Sequence, residues 1–287
     1  MPRLPGCGGS GRLFAQSRQS KPLPTIRING SPPPAELPAP VEGSTGSAEW
    51  RVPEETPVAF IYNQRNYAVM LATPMDLADF AVGFSLTERV VDEVDDIREL
   101  DIGFVERGVE FRMKIAADRL ERLDIRQQRR NLVGRAGCGV CGLENADTFF
   151  ETLPRVAETR AAISETALKL AMDSLADHQP LNRLTHTVHA AAWADVSGAI
   201  RWVREDVGRH NALDKLLGAM ALAAVPADQG FVMMSSRCSY EIIEKSARRG
   251  VRAVATLSGP TSFALRKARE CNMAVYCRDG ARFVQAA

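Results

Sequence analysis

The 287-residue sequence lacks any apolar run approaching the roughly 20 residues that span a bilayer. Its N-terminus also lacks the apolar core of a secretory signal peptide. Both absences suit a soluble, cytoplasmic protein without a membrane partner. Cysteine is scarce, six residues in all, far below the density of a disulfide-stapled scaffold, so the thiols are expected to be reduced. A large excess of either sign of charge is missing too: 36 basic against 35 acidic side chains leave a net charge of +1. A dedicated nucleic-acid binder or a polybasic membrane protein needs more. Several signatures are absent: Gly-x-x-x-x-Gly-Lys-Ser/Thr, Gly-x-Gly-x-x-Gly opening a helix, and Gly-x-Ser-x-Gly. The zinc deaminase pattern also fails, because the Cys-x-x-Cys has no preceding proline and no His-x-Glu or Cys-x-Glu accompanies it. What remains is an average globular composition, 45% hydrophobic and 25% charged, enough for one large domain or two modest ones.

That average is unevenly spread. Residues 1–50 hold nine of the sixteen prolines and seven of the 21 glycines, so they bury little apolar area and are expected to be a disordered arm. The helical periodicity of a targeting peptide is lacking there. Folding is expected to start near Trp50. A small α+β domain is expected over 51–135. Val58–Tyr62 and Tyr67–Leu71 form a hairpin pattern around Asn63-Gln64-Arg65-Asn66. Thr73-Pro74 reads as a helix cap with proline at the first helical position, followed by the apolar face Leu77, Phe80, Ala81, Phe84. Two more strands are expected at Ile97–Phe104 and Val109–Ile115. A loop and linker follow over 136–155, and a second domain over 156–287. Its pattern of helix 164–176, strands 190–195 and 200–203 and helix 212–223 leads into strand 231–235, helix 240–248, strand 253–257, helix 262–271 and strand 274–277. That alternation implies parallel strands with right-handed crossovers, whose carboxyl ends are where ligands bind.

Four segments could carry chemistry. Gly137-Cys138-Gly139-Val140-Cys141-Gly142 places two thiols on a glycine-flanked turn, where another molecule can approach sulfur closely. Over 118–135, six arginines stand against three acids, and positive potential favours thiolate. A reactive dithiol, half of a structural zinc site completed by His186 and His189, and an incidental pair of turn cysteines all remain open on spacing alone. In Glu205 to Lys215, a strand ends, Gly208 turns the chain, and Arg209, His210 and Asn211 open a helix, with Lys215 one turn on. Helix starts bind anions, and arginine offers phosphate a planar fork; a capped helix with a solvated charged face fits the same residues. Ser235, Ser236 and Arg237, and Ser258 to Thr261 and Ser262, follow strands, where phosphate or sugar sites lie, although Ser and Thr are also ordinary caps. Tyr276-Cys277-Arg278-Asp279-Gly280-Ala281-Arg282 is an Asp-Gly hairpin turn with two arginines. Cys238 and Cys271 read as buried small hydrophobes, and His189 as a satisfied structural histidine.

Taken together, these segments resemble the FdhD/NarQ family of formate dehydrogenase accessory sulfurtransferases. The resemblance rests on Thr73-Pro74-x-Asp76 running to Gly83-Phe84-x-x-x-Glu88, on Cys138-Gly-Val-Cys141-Gly142, and on Asp206-Val-Gly-Arg-His-Asn-Ala-Leu-Asp-Lys215. It continues through Ser236-Arg237-x-Ser239-Tyr240-Glu241 and Pro260-Thr261-Ser262, and covers about residues 55–282. It implies an α/β (α+β) protein with a cytidine-deaminase-like three-layer C-terminal domain behind a smaller α+β domain. It also implies a homodimeric sulfurtransferase that takes persulfide sulfur from a cysteine desulfurase. The sulfur would pass to the molybdenum bis(molybdopterin guanine dinucleotide) cofactor, bound as substrate, before the formate dehydrogenase catalytic subunit receives it. Cys138 matches the persulfide-bearing residue and Cys141 would assist. Arg209, His210, Asn211, Lys215, Ser235, Arg237, Thr261, Ser262 and the turn from Tyr276 through Cys277, Arg278, Asp279, Gly280 and Ala281 to Arg282 would contact the cofactor. No metal of the protein's own is implied. A zinc-stabilised carrier of the cofactor and a dithiol oxidoreductase are the alternatives. Two departures stand out: Thr185-His186-Thr187-Val188 replaces the family's Thr-Gly-Gly before the matched histidine, and the C-terminal segment has one extra residue.

Overall fold

Alternation builds the first sheet. In β4 (Thr56–Tyr62), Val58, Phe60 and Tyr62 are buried while Pro57 faces solvent. β5 (Arg65–Ala72) returns after Asn63 and Gln64, whose φ values of 45° and 69° give the twist of a two-residue hairpin. β6 (Ile97–Val105) and β7 (Gly108–Ile115) form the neighbouring antiparallel pair. The order is β1-β6-β7-β4-β5, with β1 (Thr25–Asn29) parallel to β6 and β4 parallel to β7. Helix α1 (Leu77–Thr87) covers the inner face. There Phe60 meets Phe80 and Phe111 edge to face at centroid distances of 5.3 and 5.1 Å.

The structure, a computed structural model, describes residues 23–43, 46–120, 152–157 and 162–287. The second sheet has the order β13-β12-β11-β10-β8-β9. Its strands are β8 (His189–Asp195), β9 (Ile200–Asp206), β10 (Gly230–Met234), β11 (Ala253–Thr256), β12 (Ala274–Asp279) and β13 (Arg282–Gln285). β10, β11 and β12 are parallel, as the strand–helix alternation implied. β10 is apolar at every position because both its faces are covered. Val232 and Met234 pack against α4 (Arg209–Leu222), α5 (Tyr240–Arg248) and α6 (Ser262–Glu270). Phe231 and Met233 pack against α2 (Glu165–Leu175) on the other side. The result is three layers, helices–sheet–helix.

Two expectations are corrected, and one element is new. The arm over 1–50 is not disordered throughout: β1 extends the first sheet, and β2 (Glu36–Gly43) pairs with β3 (Gly46–Pro53) as a separate ribbon. Prolines hid it. Pro38 and Pro40 sit in β2, a strand paired on one side only, where a missing N–H costs no ladder bond if it faces outward. The first helix starts at Leu77 after Asp76, not at Pro74, because Thr73 is engaged elsewhere. A short helix α3 (Pro180–Thr185) went unread in the sequence. His186 ends it in the left-handed region, φ 54°, the conformation a glycine adopts freely.

The two sheets are joined through helices. α1 crosses α4 so closely that a Cβ on Gly83 would lie 1.8 Å from the Asp214 carbonyl oxygen, and one on Gly218 1.9 Å from that of Asp79. Beside this crossing, buried Lys245 bonds both carboxylate oxygens of Asp214 at 3.0 and 2.8 Å, and Glu88 Oε1 at 3.2 Å. Thr87 Oγ1 donates to the same Asp214 at 2.7 Å. Burial raises the Asp214 carboxyl; burial works against the Lys245 ammonium, but Asp214 and Glu88 more than restore its proton.

Candidate functional site

Because β10, β11 and β12 run parallel, their carboxyl ends share one edge of the sheet. β8 is antiparallel to β10, and β9 antiparallel to β8, so β8 begins and β9 ends at that edge, with His189 opposite Asp206. Four segments meet there: Asp206–His210, Ser235–Ser239, Ser258–Ser262, and the turn after β12. The second and third are stitched together, since Cys238 and Pro260 form a parallel bridge and Thr261 N–H donates to the Cys238 carbonyl at 3.0 Å.

Arg209 and His210 are the first two residues of α4, behind Gly208. Among the described residues no side chain caps this helix. Its orphan N–H groups and positive dipole end therefore remain available to an anion. The Arg209 Nε is buried and has no hydrogen-bond partner among the described residues. Asn211 and Lys215 are turned into the fold instead. Lys215 is fully buried, 2.7 Å from Asp206 Oδ2, and also donates to the Thr73 carbonyl at 2.9 Å. Asn211 Nδ2 donates to the Leu71 carbonyl at 2.8 Å and to Asp206 Oδ1 at 3.0 Å. Asp206 thus anchors the helix start, and its carboxylate also accepts from the N–H groups of Gly208 and Thr73. Sequence reading passed over Asp206 as a hub, since its partner Thr73 lies 133 residues away.

The other expected contacts divide in the same way. Ser235 Oγ accepts from the Ala190 N–H at 2.8 Å and ties β10 to β8. Arg237 is exposed. Thr261 caps α6 by accepting from the Ala264 N–H, and Ser262, exposed, follows it. Tyr276 and Cys277 are buried in the core on opposite faces of β12, and the Tyr276 hydroxyl accepts from the Ile163 N–H at 3.2 Å. Arg278, Asp279, Gly280, Ala281 and Arg282 are exposed around the turn, where Arg278 Nε donates to the Gly280 carbonyl at 2.8 Å. Cys138 and Cys141 lie outside the described residues.

Burial decides the chemistry of the described thiols. It pushes Cys238 up to about 12, with nearby Cys277 adding to it, and raises Cys271 and Cys277 as well. All three stay protonated and unreactive. Burial also lowers His189, with Arg209 and His210 pushing the same way. Glu241, half-buried on α5, lies 3.0 Å from His210 Nε2. Among the described residues no group of three or more His, Cys, Asp or Glu is placed to hold a metal, and no helix is long and apolar enough to cross a membrane.

Comparison with known proteins shows what this architecture is similar to. The sequence profile of the FdhD/NarQ family matches residues 53–282. A protein of Xanthomonas euvesicatoria pv. vesicatoria named Sulfur carrier protein FdhD is 44% identical over 239 residues, 83% of this chain and 84% of that one. A protein of the same name from Bordetella petrii is 44% identical over 225 residues, 78% of this chain and 80% of that one. The crystal structure of a formate dehydrogenase accessory protein from Desulfotalea psychrophila shares the fold. It matches with a TM-score of 0.66 over 88% of this chain and 97% of that one, at 22% identity.

Proposed function

The chain belongs to the FdhD/NarQ family, and from that premise we propose that it is a sulfur carrier serving formate dehydrogenase, acting as a sulfurtransferase through a persulfide on Cys138. The observation that carries this reading is the division among the six cysteines. Cys238, Cys271 and Cys277 are buried thiols with raised pKa. Cys7 stands alone, with no second cysteine three residues away to release a bound sulfur, as Cys138 has in Cys141. The glycine-flanked pair is what remains for sulfur chemistry.

In this reading the thiolate of Cys138 attacks the outer sulfur of a desulfurase persulfide. A new S–S bond forms on Cys138, and the desulfurase cysteine leaves as thiolate. Cys141 then attacks the inner sulfur and releases the outer one as hydrosulfide toward the acceptor. The resulting Cys138–Cys141 disulfide is reopened by a cellular dithiol. The acceptor is the molybdenum bis(molybdopterin guanine dinucleotide) cofactor, a polyanionic substrate that suits the strand-end edge. Arg209, His210 and the uncapped start of α4 would hold its phosphates, with Arg237, Ser262 and the exposed turn Arg278–Arg282 around them. The partners are a cysteine desulfurase and the formate dehydrogenase catalytic subunit, and the protein works in the cytoplasm as a homodimer.

Mass spectrometry of the chain incubated with a cysteine desulfurase and cysteine tests this. A gain of one sulfur atom is expected on Cys138. Cys138→Ala should reduce formate dehydrogenase activity to background in a null strain while apoenzyme levels hold. Full activity from that variant overturns the proposal. Stoichiometric zinc held by Cys138 and Cys141 also counts against it, in favour of a non-enzymatic carrier, and disulfide cycling with a small redox partner in favour of an oxidoreductase.

A further inference from the structure

The strand-end edge contains a histidine–carboxylate contact whose members come from two helices. His210 on α4 is 8% exposed, and its Nε2 lies 3.0 Å from Oε2 of Glu241 on α5. The same oxygen accepts from Ser239 Oγ at 3.1 Å. Ser239 is the N-cap residue of α5, yet its hydroxyl makes no capping bond, being turned to Glu241 instead. The His210–Glu241 contact is close without being a linear hydrogen bond, because among the described residues Nε2 has no acceptor along its N–H direction. Other charged groups reach the same place. Arg209 acts on both Glu241 and His189, and Asp206, at the end of β9, acts on His189 in the opposite sense. Burial works to raise the Glu241 carboxyl, but the His210 contact, Ser239 and Arg209 outweigh it and hold Glu241 below the usual range. A charged carboxylate is therefore kept beside a nearly buried imidazole, one residue from the Arg209 guanidinium.

We infer that Glu241 is a positioning residue that makes anion binding at this edge proton-coupled, through His210. The inference rests on the reading of this edge as a phosphate cradle. An imidazole nitrogen donates to an anion only when it carries a proton. Nε2 is turned to Glu241, so Nδ1 is the ring atom left for the ligand. To donate from Nδ1 while Nε2 keeps its proton, the ring takes one proton from solvent and becomes imidazolium, whose charge the carboxylate balances. No covalent bond changes. Arg209 supplies the part of the affinity that does not depend on pH, since guanidinium stays charged. Without Glu241 the anion loses its second donor at neutral pH but not in acid. The site would thus release its phosphates as pH rises, a property that a bare arginine cradle lacks.

Calorimetric titration of the full chain with inorganic pyrophosphate at pH 5.5 and 7.5, in buffers of different ionisation heat, tests this. Wild type should take up protons on binding at pH 7.5. Glu241→Gln should match wild type at pH 5.5 and bind about tenfold more weakly at pH 7.5. Arg209→Gln should weaken binding by a similar factor at both pH values. His210→Gln, an independent variant if Glu241→Gln folds poorly, should abolish the proton uptake. A Glu241→Gln loss of equal size at both pH values, or no loss at either, overturns the inference, as does wild-type binding without proton uptake. Absence of wild-type pyrophosphate binding at both pH values fells the cradle reading itself and the inference with it.

Discussion

Asp206 and Lys215 are both fully buried, and together with Asn211 and Thr73 they fix where α4 begins. Removing one member of such a pair strands the other charge in the interior. Lys215→Met is expected to cost about 3 kcal/mol in urea unfolding. Because Lys215 Nζ is engaged within the fold, anion affinity at the strand-end edge should change little in the molecules that remain folded. Asp195 offers a test by pH. Its carboxylate is drawn down to about 2, foremost by the Ser197 hydroxyl, with Arg201 and the backbone N–H groups of Ser197 and Ala199 adding to it against a burial penalty. The unfolded chain takes up this proton near the ordinary value of 3.8, before the folded chain does. The stability it contributes is therefore full above that value and lost as pH falls toward about 2. Thermal melts from pH 5 to 2 should show the loss, and Asp195→Asn should flatten that part of the profile. At this scale the sequence is half legible. A glycine turn followed by Arg-His marks a helix start, so Arg209 and His210 could be picked out. Nothing in Asn211 or Lys215 says that they face inward, because their acceptors at Leu71 and Thr73 lie 140 and 142 residues away.

The crossing of α1 and α4 depends on two positions without side chains. Gly83→Ala would drive its methyl group into the Asp214 carbonyl, which is helix backbone and cannot move aside cheaply. A loss of about 3 kcal/mol is expected by chemical denaturation, while Gly103→Ala, whose added methyl meets nothing within 4 Å, serves as the control. The elements that sequence recovers well are those with a clear period. The β4–β5 hairpin, α1's apolar face and the helices of the second unit are of this kind. The elements missed are those whose signal is masked or short. Proline concealed β2, and β1 owes its existence to pairing with β6, some 74 residues downstream. α3 spans only six residues, and its end at His186 uses a left-handed residue where the family pattern has glycine. The turn survives that substitution, at the strain a β-carbon brings to φ 54°.

Across the whole molecule, the two sheets are linked by more than a connecting segment. The Gly83–Gly218 crossing, the Lys245–Asp214–Glu88 cluster and the Arg204–Asp79 ion pair at 2.7 Å all bridge them. Neither half can open without exposing buried charge. Calorimetry should therefore show one unfolding peak, with signals from each half changing together; two resolved peaks would contradict this coupling. The same crossing limits how the protein can be rebuilt. A hybrid taking its first 120 residues from one relative and the rest from another brings together two helices that have never been fitted to each other. At a backbone separation this small, a difference of one methyl group on either side is enough to stop them from seating. The workable seam for recombination is thus not the stretch between the sheets but a cut that keeps α1 and α4 from the same parent, so the piece that can be exchanged cuts across the boundary a domain map would draw.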